Sequence, residues 1–395
     1  MKILLDQELL ILLCSPGGSN EITNLLEEDF NWDHLIQISI NYGLVQLLYA
    51  NLMTDYADKL PIEVRAKLQS IFSANVAHNM ELTSEMLKIL RLLRNVDIPA
   101  ISFKGPILAT SCYGSYFLRQ YGDIDILVKF QDSFKVKELL IAQNFRLTEE
   151  RGWQQSFIYN PKPEIEIDLH WELSPLHFPF RHPDFETLWQ RRELIELNGE
   201  KIDTFSTVDI LLILIVQIAK GGYEANESLA HICDLAHLLY QQKDLSWGKL
   251  LQEVQDFQLE RAFYIGLNLA IDIFGTLLPP EIEKTLLEQN QKDLVIGIYI
   301  NQIKKRLFSN KKTSLVETHF FRYLMKYGTA IKVYHHVYII WQFLAFLIKD
   351  GITDINEKDR DFYTLPRKLS FLYYLIRPIR IIIQHGLRLY KFIDT

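Results

Sequence analysis

Two aspartates separated by a single isoleucine form the pattern in this sequence that is best suited to chemistry. The segment 122–128 reads GDIDILV, and its alternation of residue types is typical of a β-strand. Side chains alternate between the two faces of a strand, so Asp123 and Asp125 are expected on one face and the isoleucines on the other. Neighbouring carboxylates repel each other unless a cation neutralises them. The pair therefore predicts a divalent-metal site at the exposed end of a buried strand.

A second strand pattern supplies a third acid. In the segment 164–171, EIEIDLHW, the residues Glu166, Asp168 and His170 fall on one face of the predicted strand. This polar row can face the aspartate pair across a sheet. Three carboxylates are enough to hold two Mg²⁺ ions, which clamp the attacking and the leaving oxygen of an in-line phosphoryl displacement. We therefore predict that the two aspartates and Asp168 are both the metal ligands and the catalytic residues of a nucleotidyl transfer.

A lysine and a glycine precede a predicted helix upstream of the aspartate pair. A glycine at position 105 lets the backbone approach a triphosphate closely, the helix N-terminus offers free N–H groups, and Lys104 adds positive charge. Arg119, between this turn and the aspartates, is a second candidate phosphate ligand. We predict that Lys104, Gly105, Arg119 and His170 bind the nucleotide.

Each of these features also has a purely structural explanation. An isolated Asp-x-Asp pair is commonly a solvated strand end, and a lone Lys-Gly is commonly a turn. Asp168 alone fits a surface position on a half-buried strand, and His170 alone fits a structural hydrogen-bonding partner. The catalytic interpretation is favoured because the features occur together, in order, on the elements that the chemistry requires.

The elements predicted around these residues make up a small sheet domain of the α+β class. Strand and helix patterns follow one another through the middle of the chain, and turn residues separate the later strands. The predicted strands span 98–103, 124–128, 153–159 and 164–171, with a loop at 160–163, helices after Gly105 and over 132–143, and a hairpin over 194–205 that turns at Asn198-Gly199. We expect the site residues to lie on this sheet and on the turn before its first helix.

Helical patterns flank this domain on both sides. An amphipathic helix begins the chain, Asn31 caps another helix, and Pro61 opens a long one that ends near Asn95. The apolar residues on one face of the long helix should pack on a neighbour: Leu82, Met86, Ile89, Leu90 and Leu93. After a cap at Ser206 or Thr207, the predicted C-terminal helices span 208–219, 229–240, 247–257, 262–274, 294–307 and 333–348.

Four segments follow from this order of elements. They are an N-terminal helical region 1–96, a catalytic core 97–205, a C-terminal helical domain 206–350 and a basic segment 351–395. Between residues 362 and 393, six basic residues and no carboxylate are interleaved with aromatic and aliphatic residues. Such a segment suits an anionic membrane surface or RNA phosphates, and it equally suits amphipathic helices that pack on the acidic body of the protein.

Composition and charge limit the remaining possibilities. A chain of 395 residues with 48% hydrophobic and 23% charged residues is expected to fold throughout, in two or three domains. The net charge of -7 argues against attraction of the whole protein to a polyanion.

The three cysteines and the apolar stretches indicate the cell compartment. Cys14, Cys112 and Cys233 lack metal-ligand spacing, so we expect each to be a small buried hydrophobic residue in a protein of a reducing compartment. The apolar stretch 333–348 is shorter than the roughly 20 residues that cross a bilayer. We expect a cytoplasmic protein.

Several of these motifs resemble those of a known family. The site motifs resemble the uncharacterised nucleotidyltransferase family of the polymerase-beta-like superfamily, through Phe103-Lys104-Gly105, a tyrosine at position 113 or 116, Arg119, the segment 123–128 and the segment 167–171. Outside the site, the segments 31–33, 42–45, 229–235 and 245–247 are similar to the helical patterns of that family. The resemblance extends over roughly residues 30 to 260.

This resemblance implies a mixed sheet with helices packed on it. It further implies ATP or another nucleoside triphosphate with Mg²⁺ as donor, and transfer of a nucleoside monophosphate with release of pyrophosphate. It assigns Asp123 and Asp125 to metal binding, and Asp168 to the second metal or to activation of the acceptor hydroxyl. The superfamily carries Gly-Ser or Gly-Gly where this chain has Lys104-Gly105-Pro106, so the contacts to the triphosphate differ here.

Three functions stay open at the level of sequence. The leading hypothesis is nucleotidyl transfer to an unidentified hydroxyl or phosphate acceptor, which is a small molecule, a peptide or RNA. The second is a toxin-like nucleotidyltransferase that acts on RNA ends. The third is a non-catalytic helical interaction protein, at a membrane surface for example, that retains a nucleotidyltransferase-like core. The fold alone does not choose among them.

Overall fold

The chain divides into two units, residues 1–312 and 313–395. The structure, a computed structural model, describes residues 4–18, 20–159, 164–173, 183–221 and 225–307, together with Met325. The elements given below all lie in the first unit. The predicted loop 160–163, the predicted helix 333–348 and the basic segment 351–395 lie outside the described residues. The finer division into four segments stays a prediction.

Helices make up the N-terminal region, as predicted. They are α1 (Leu5–Cys14), α2 (Ile22–Leu25), α3 (Trp32–Asn41), α4 (Val45–Asp55) and α5 (Ile62–Arg94). Asn31 caps α3, because its side-chain oxygen accepts a hydrogen bond of 3.1 Å from the backbone N–H of His34. Pro61 stands immediately before α5, where its missing N–H costs no helical hydrogen bond.

Five strands of the described chain form one sheet. Its strands are β1 (Ala100–Ser102), β2 (Asp123–Val128), β3 (Arg146–Glu150), β4 (Gln154–Tyr159) and β5 (Ile165–His170). Their order across the sheet is β1-β2-β5-β4-β3. β2 and β5 are parallel, whereas the other neighbouring strands are antiparallel. α6 (Gly105–Tyr113) follows β1, and α7 (Phe130–Ala142) follows β2. The predicted α+β class and the mixed sheet are confirmed.

The sheet buries one face against the long helix. Ile124 and Ile126 of β2 share one core cluster with the five apolar residues predicted for α5: Leu82, Met86, Ile89, Leu90 and Leu93. Ile167, on the neighbouring strand β5, belongs to the same cluster. Since side chains alternate along a strand, this burial turns Asp123 and Asp125 toward the opposite face. The hydrophobic core thereby fixes the direction in which the acidic residues point.

A hairpin and a series of helices follow the sheet. The hairpin pairs β6 (Glu193–Leu197) with β7 (Glu200–Thr204), and its turn residues Asn198 and Gly199 both have positive φ, 51° and 80°. Ser206 caps the next helix, because its hydroxyl accepts a 3.2 Å hydrogen bond from the backbone N–H of Asp209. The helices are α8 (Phe185–Gln190), α9 (Thr207–Gly221), α10 (Ala225–Gln241), α11 (Trp247–Asp256), α12 (Glu260–Phe274), α13 (Pro280–Lys292) and α14 (Leu294–Arg306).

Some elements were missed by the sequence patterns. β3 reads RLTEE, has no apolar alternation and lies at the edge of the sheet, where its side chains are mostly exposed. α13 is largely polar and buries only Ile282 and Leu286, so its apolar face is too narrow to stand out. No helix within the described ranges is long and apolar enough to cross a membrane.

Candidate active site

Three neighbouring strands bring polar side chains together on the face of the sheet that is turned away from α5. Asp125 of β2 stands beside Asp168 of β5 in the parallel register, and Asp168 stands beside Ser156 of β4 in the antiparallel register. Adjacent residues on one face of a sheet lie within contact distance of each other. Asp125, Asp168 and His170 each offer one metal-ligand atom within 4.8 Å of the others. The structure therefore brings two of the three predicted acids to one place, together with His170.

Asp125 is fully buried and has one oxygen without a partner. Its Oδ1 accepts a hydrogen bond of 2.7 Å from Lys104 Nζ and one of 2.9 Å from His170 Nε2. Its Oδ2 is buried and makes no hydrogen bond. Burial raises the pKa of Asp125, but the charge of Lys104 and the hydrogen bond from His170 outweigh it, so the pKa lies well below the ordinary value. Asp125 is therefore a charged carboxylate whose Oδ2 is available to a ligand.

Asp168 is held by two side chains that the sequence patterns did not single out. Ser156 Oγ donates a hydrogen bond of 2.5 Å to its Oδ1, and Gln154 Nε2 donates one of 3.1 Å to its Oδ2. Trp153 Nε1 donates to Gln154 Oε1 at 3.0 Å, which fixes the orientation of that amide. The predicted strand 153–159 was the available signal, but choosing its partners required the strand register, which sequence alone did not supply.

Asp123 lies on the same face of β2 as Asp125, two residues earlier, and is half-buried. The negative charge of Asp125, then burial, raise the pKa of Asp123 to about 7, against the opposing charge of Lys104. Its carboxylate is outside the group of converging ligand atoms formed by Asp125, Asp168 and His170. A cation between the carboxylates of Asp123 and Asp125 would relieve this repulsion.

Lys104 and Gly105 form the turn between β1 and α6, as predicted. Gly105 has a φ of +51°, and a Cβ there would meet the backbone oxygen of Asp123 at 3.4 Å, so a side chain at this position is strained. Lys104 occupies the N-cap position of α6 and directs its ammonium group to Asp125. Burial lowers the pKa of Lys104, but the nearby carboxylates of Asp125 and Asp123 raise it above the ordinary value, so the lysine is a cation.

Arg119 is tied to a helix outside the sheet. Its Nε donates to Asp234 Oδ1 at 3.2 Å and to Oδ2 at 3.0 Å, and Tyr113 donates its hydroxyl to the same Oδ1 at 2.7 Å. Asn79 of α5 holds the backbone of this loop, because its Nδ2 donates to the carbonyl oxygens of Tyr116 and Arg119. The role of Asp234 was not predicted, since the sequence marked its segment only as a helical pattern.

A polar cleft opens beside this arrangement. Four of the predicted site residues line it: Lys104, Gly105, Arg119 and Asp123. Its space, counting the part open to solvent, is about 1300 Å³. His170 does not line the cleft, although its Nε2 contacts Asp125 Oδ1. The predicted nucleotide-binding residues thus separate into a group at the cleft and His170 on the sheet.

The sequence profile of a family described as uncharacterised nucleotidyltransferases matches residues 28–275. The match takes in more than half of the 395-residue chain, and it includes the sheet and every predicted site residue. The chain belongs to this family. The resemblance inferred from the motifs is confirmed, and the class of enzyme is that of a nucleotidyltransferase. No curated protein matches the sequence.

Solved structures similar to this nucleotidyltransferase have low sequence identity. The lincosamide antibiotic adenylyltransferase LnuA in its lincomycin-bound form is 17% identical, with coverage of 33% of this chain and 83% of that chain and a TM-score of 0.26. An antigenic nucleotidyltransferase-like protein from Paracoccidioides brasiliensis is 15% identical, with coverage of 46% and 92% and a TM-score of 0.29. The antibiotic-resistance factor ANT(2'')-Ia is 14% identical, with coverage of 47% and 96% and a TM-score of 0.33. Likeness at this level says nothing about the substrate of this chain.

The donor atoms of this nucleotidyltransferase fit a divalent cation. Asp123, Asp125 and Asp168 bring three carboxylates to one face of the sheet, where Lys104 supplies one ammonium group against them. Asp125 Oδ2 is a buried oxygen without a hydrogen-bond partner, which is costly unless a ligand binds it. Carboxylate oxygens suit Mg²⁺, and an additional imidazole nitrogen such as that of His170 is also compatible with Mn²⁺.

Proposed function

We propose that this chain transfers a nucleoside monophosphate from ATP or another nucleoside triphosphate to a hydroxyl or phosphate acceptor, with release of pyrophosphate. The proposal includes a divalent cation, Mg²⁺ in the cell, bound by Asp123, Asp125 and Asp168. One observation carries it: Asp125 Oδ2 is buried without a partner at the place where Asp168 and His170 also present ligand atoms. When bound there, Mg²⁺ would supply the positive charge that a phosphoryl displacement needs.

The polar cleft is the proposed seat of the nucleotide. Gly105 keeps the backbone open at the N-terminus of α6, where free N–H groups favour phosphate oxygens. Arg119 lines the same cleft and is held in place by Asp234, so we assign it to the triphosphate. Lys104 lines the cleft while its ammonium contacts Asp125, so it can balance charge between the phosphates and the carboxylates.

Asp168 is the proposed proton acceptor. The acceptor hydroxyl forms a new bond from its oxygen to the α-phosphorus, the bond from that phosphorus to the bridging oxygen breaks, and pyrophosphate leaves with the electron pair. The hydroxyl proton passes to Asp168, whose orientation is fixed by Ser156 and Gln154. His170 donates to Asp125 and so orients that carboxylate, which makes it a positioning residue in this proposal.

The direct test is to incubate the full chain with each α-³²P-labelled nucleoside triphosphate, Mg²⁺ and a fractionated cell extract. The expected result is label in one acceptor fraction, pyrophosphate in equal amount, and loss of both in Asp168→Asn with the circular dichroism spectrum unchanged. Label only in RNA supports the toxin-like alternative. If the purified chain neither binds a nucleotide with Mg²⁺ nor turns one over with any fraction, the non-catalytic alternative is correct.

A further inference from the structure

A second pocket lies beside the site, and its walls differ from those of the polar cleft. Most of its lining side chains are apolar, among them Phe103, Leu188, Leu212, Val216 and Leu259. Its space, counting the part open to solvent, is about 540 Å³, less than half that of the polar cleft. The pocket is therefore a separate compartment with the predominantly apolar walls that small-molecule sites usually have. We call it the apolar pocket.

The carboxylate cluster stands between the two compartments. Asp123 lines the polar cleft and not the apolar pocket, whereas His170 lines the apolar pocket and not the polar cleft. Both flank Asp125, one two residues away on β2 and the other through a hydrogen bond of 2.9 Å. Lys104 and Gln217 line both compartments. Molecules bound in the cleft and in the apolar pocket would therefore both lie against Lys104, whose ammonium group binds Asp125.

One buried polar atom indicates that the apolar pocket binds a ligand with a polar group. The side chain of His170 is only 7% exposed, and its Nε2 is used by Asp125. Its other ring nitrogen, Nδ1, is buried and has no hydrogen-bond partner. A buried nitrogen left unpaired costs free energy, which a ligand hydroxyl in the pocket would recover.

We propose that the apolar pocket binds the acceptor, and that the acceptor is a small alcohol carrying an aromatic ring or a branched alkyl group. This inference rests on the proposed function, since it names the acceptor of the same reaction. In-line displacement requires donor and acceptor on opposite sides of the transferred phosphorus, and two compartments that share Lys104 offer each of them a separate place. The polar cleft holds the phosphate-binding features, so the apolar pocket is left for the acceptor.

The chemistry of the walls disfavours an RNA end in the apolar pocket. Apart from His170, its described lining carries one basic residue, Lys104, which is already bound to Asp125. Asp209, the acidic lining residue, is paired with Arg191 and Ser206. Phosphates placed against aliphatic walls would lose their hydration without compensating partners. An apolar group gains free energy there by leaving water.

The reaction with such an alcohol is balanced without any further reagent. The alcohol oxygen bonds to the α-phosphorus of ATP, the bond to the bridging oxygen breaks, and pyrophosphate departs. The alcohol proton goes to Asp168 and then to solvent. The product is the ester of the alcohol with adenosine monophosphate, a phosphodiester that joins the alcohol to adenosine. His170 Nδ1 accepts or donates one hydrogen bond to the alcohol and takes no part in bond breaking.

The test uses the full chain with Mg²⁺, α-³²P-labelled ATP and three acceptor probes: benzyl alcohol, glycerol and a short RNA oligonucleotide. The expected kcat/KM is at least about tenfold higher with benzyl alcohol than with glycerol, since an apolar group adds binding free energy only in an apolar pocket. The blocking variant is Ile213→Trp, because Ile213 is a half-buried residue of α9 that lines the apolar pocket. It should lower kcat/KM for benzyl alcohol at least about tenfold and leave the KM for ATP unchanged.

The matched control is Val208→Trp, because Val208 is half-buried on the same helix and lines neither compartment. Val208→Trp should have the same kcat/KM values as the unmodified chain. A second variant, Ile213→Ser, changes the pocket less and is used if Ile213→Trp does not fold. Binding of Mg²⁺ and ATP by the unmodified chain is measured separately, and its absence defeats the proposed function. If that binding is present, any one of four results overturns the assignment of the acceptor. These results are equal labelling of glycerol and benzyl alcohol, label only in RNA, no labelled benzyl alcohol, and an Ile213→Trp variant that is unaffected.

Discussion

Asp125 and Asp234 are both buried aspartates that contact a basic residue, yet their surroundings differ. Both oxygens of Asp234 accept from Arg119, and one also accepts from Tyr113. Asp125 shares Oδ1 between Lys104 and His170 and leaves Oδ2 buried and unpartnered. A buried carboxylate whose oxygens are all used stabilises the fold around it, whereas an unused buried oxygen is available to a ligand. The comparison therefore separates a structural anchor, Asp234, from the proposed binding site at Asp125.

The two clusters are connected through the polar cleft. Arg119, anchored by Asp234, and Asp123, two residues from Asp125, both line it. The anchor belongs to α10, and the binding site belongs to the sheet. A flanking helix, α10, thus contributes to the proposed site by holding the guanidinium group of Arg119, while the sheet supplies the acids. Changes in the two clusters should accordingly have different consequences.

The largest effect is expected from Asp125→Asn. The amide has nearly the same shape but no charge, so it cannot hold a divalent cation beside Asp168, and pyrophosphate release with Mg²⁺ should fall about a thousandfold, or about 4 kcal/mol. The measurement is the initial rate of pyrophosphate release at saturating ATP, with the acceptor fraction that becomes labelled in the test of the proposed function. Glu166→Gln is the matched control, because Glu166 is an exposed acid on the same face of β5 as Asp168. If Asp125→Asn keeps a tenth of the activity, the metal assignment is wrong.

The next effect is expected from Asp234→Asn, and it should appear in stability. The change leaves the 12%-exposed side chain of Arg119 without its counter-charge, and breaking a buried pair in this way costs about 3 kcal/mol. Urea unfolding measures it. The KM for ATP should rise because Arg119 loses its anchor, with kcat changed less. A variant as stable as the unmodified chain would show that the ion pair is not an anchor.

A smaller effect is expected from Ser156→Ala. It removes the 2.5 Å hydrogen bond to Asp168 Oδ1 but leaves the one from Gln154, so kcat should fall about tenfold without loss of stability beyond about 1 kcal/mol. Ser156→Thr restores the hydroxyl on a strand, where threonine is well tolerated, and should recover most of the rate. Equal rates in the alanine and threonine variants contradict a positioning role for Ser156.

The smallest effect is expected outside both clusters, at the hairpin turn. Asn198 has a φ of 51°, and alanine is less favourable in that left-handed region, so Asn198→Ala should cost about 1 kcal/mol of stability. The expected outcome is a lower midpoint of thermal unfolding with kcat and the KM for ATP unchanged. A changed kcat would mean that the hairpin influences the sheet site, and the comparison of the two clusters would then be incomplete.

Much of the fold follows from periodicity, and part of the site does too. In the strands that carry Asp125 and Asp168, isoleucines alternate with acids over four residues, and the isoleucines are buried in the core cluster that includes α5. Helix limits marked by Asn31, Pro61 and Ser206 follow from capping and from the missing N–H of proline. These features depend on neighbours in sequence, and sequence records them directly.

The rest of the site depends on register and on distant contacts. The pairing of Asp168 with Ser156 is set by the alignment of β4 with β5, and a shift of one residue would turn the serine to the other face. The pairing of Arg119 with Asp234 joins residues 115 positions apart. Neither contact has a local signal. Sequence therefore singled out the three acids together with Lys104 and His170, and it missed Ser156, Gln154 and Asp234.

The central claim is that Asp125 marks a cation site and Asp234 does not. Binding of Mn²⁺, a paramagnetic stand-in for Mg²⁺, can be followed by electron paramagnetic resonance on the unmodified chain and on the Asp125→Asn and Asp234→Asn variants. The account predicts binding that Mg²⁺ displaces, weakened at least about a hundredfold in Asp125→Asn and within about threefold of the unmodified value in Asp234→Asn. Equal Mn²⁺ affinity in the unmodified chain and in Asp125→Asn would contradict it.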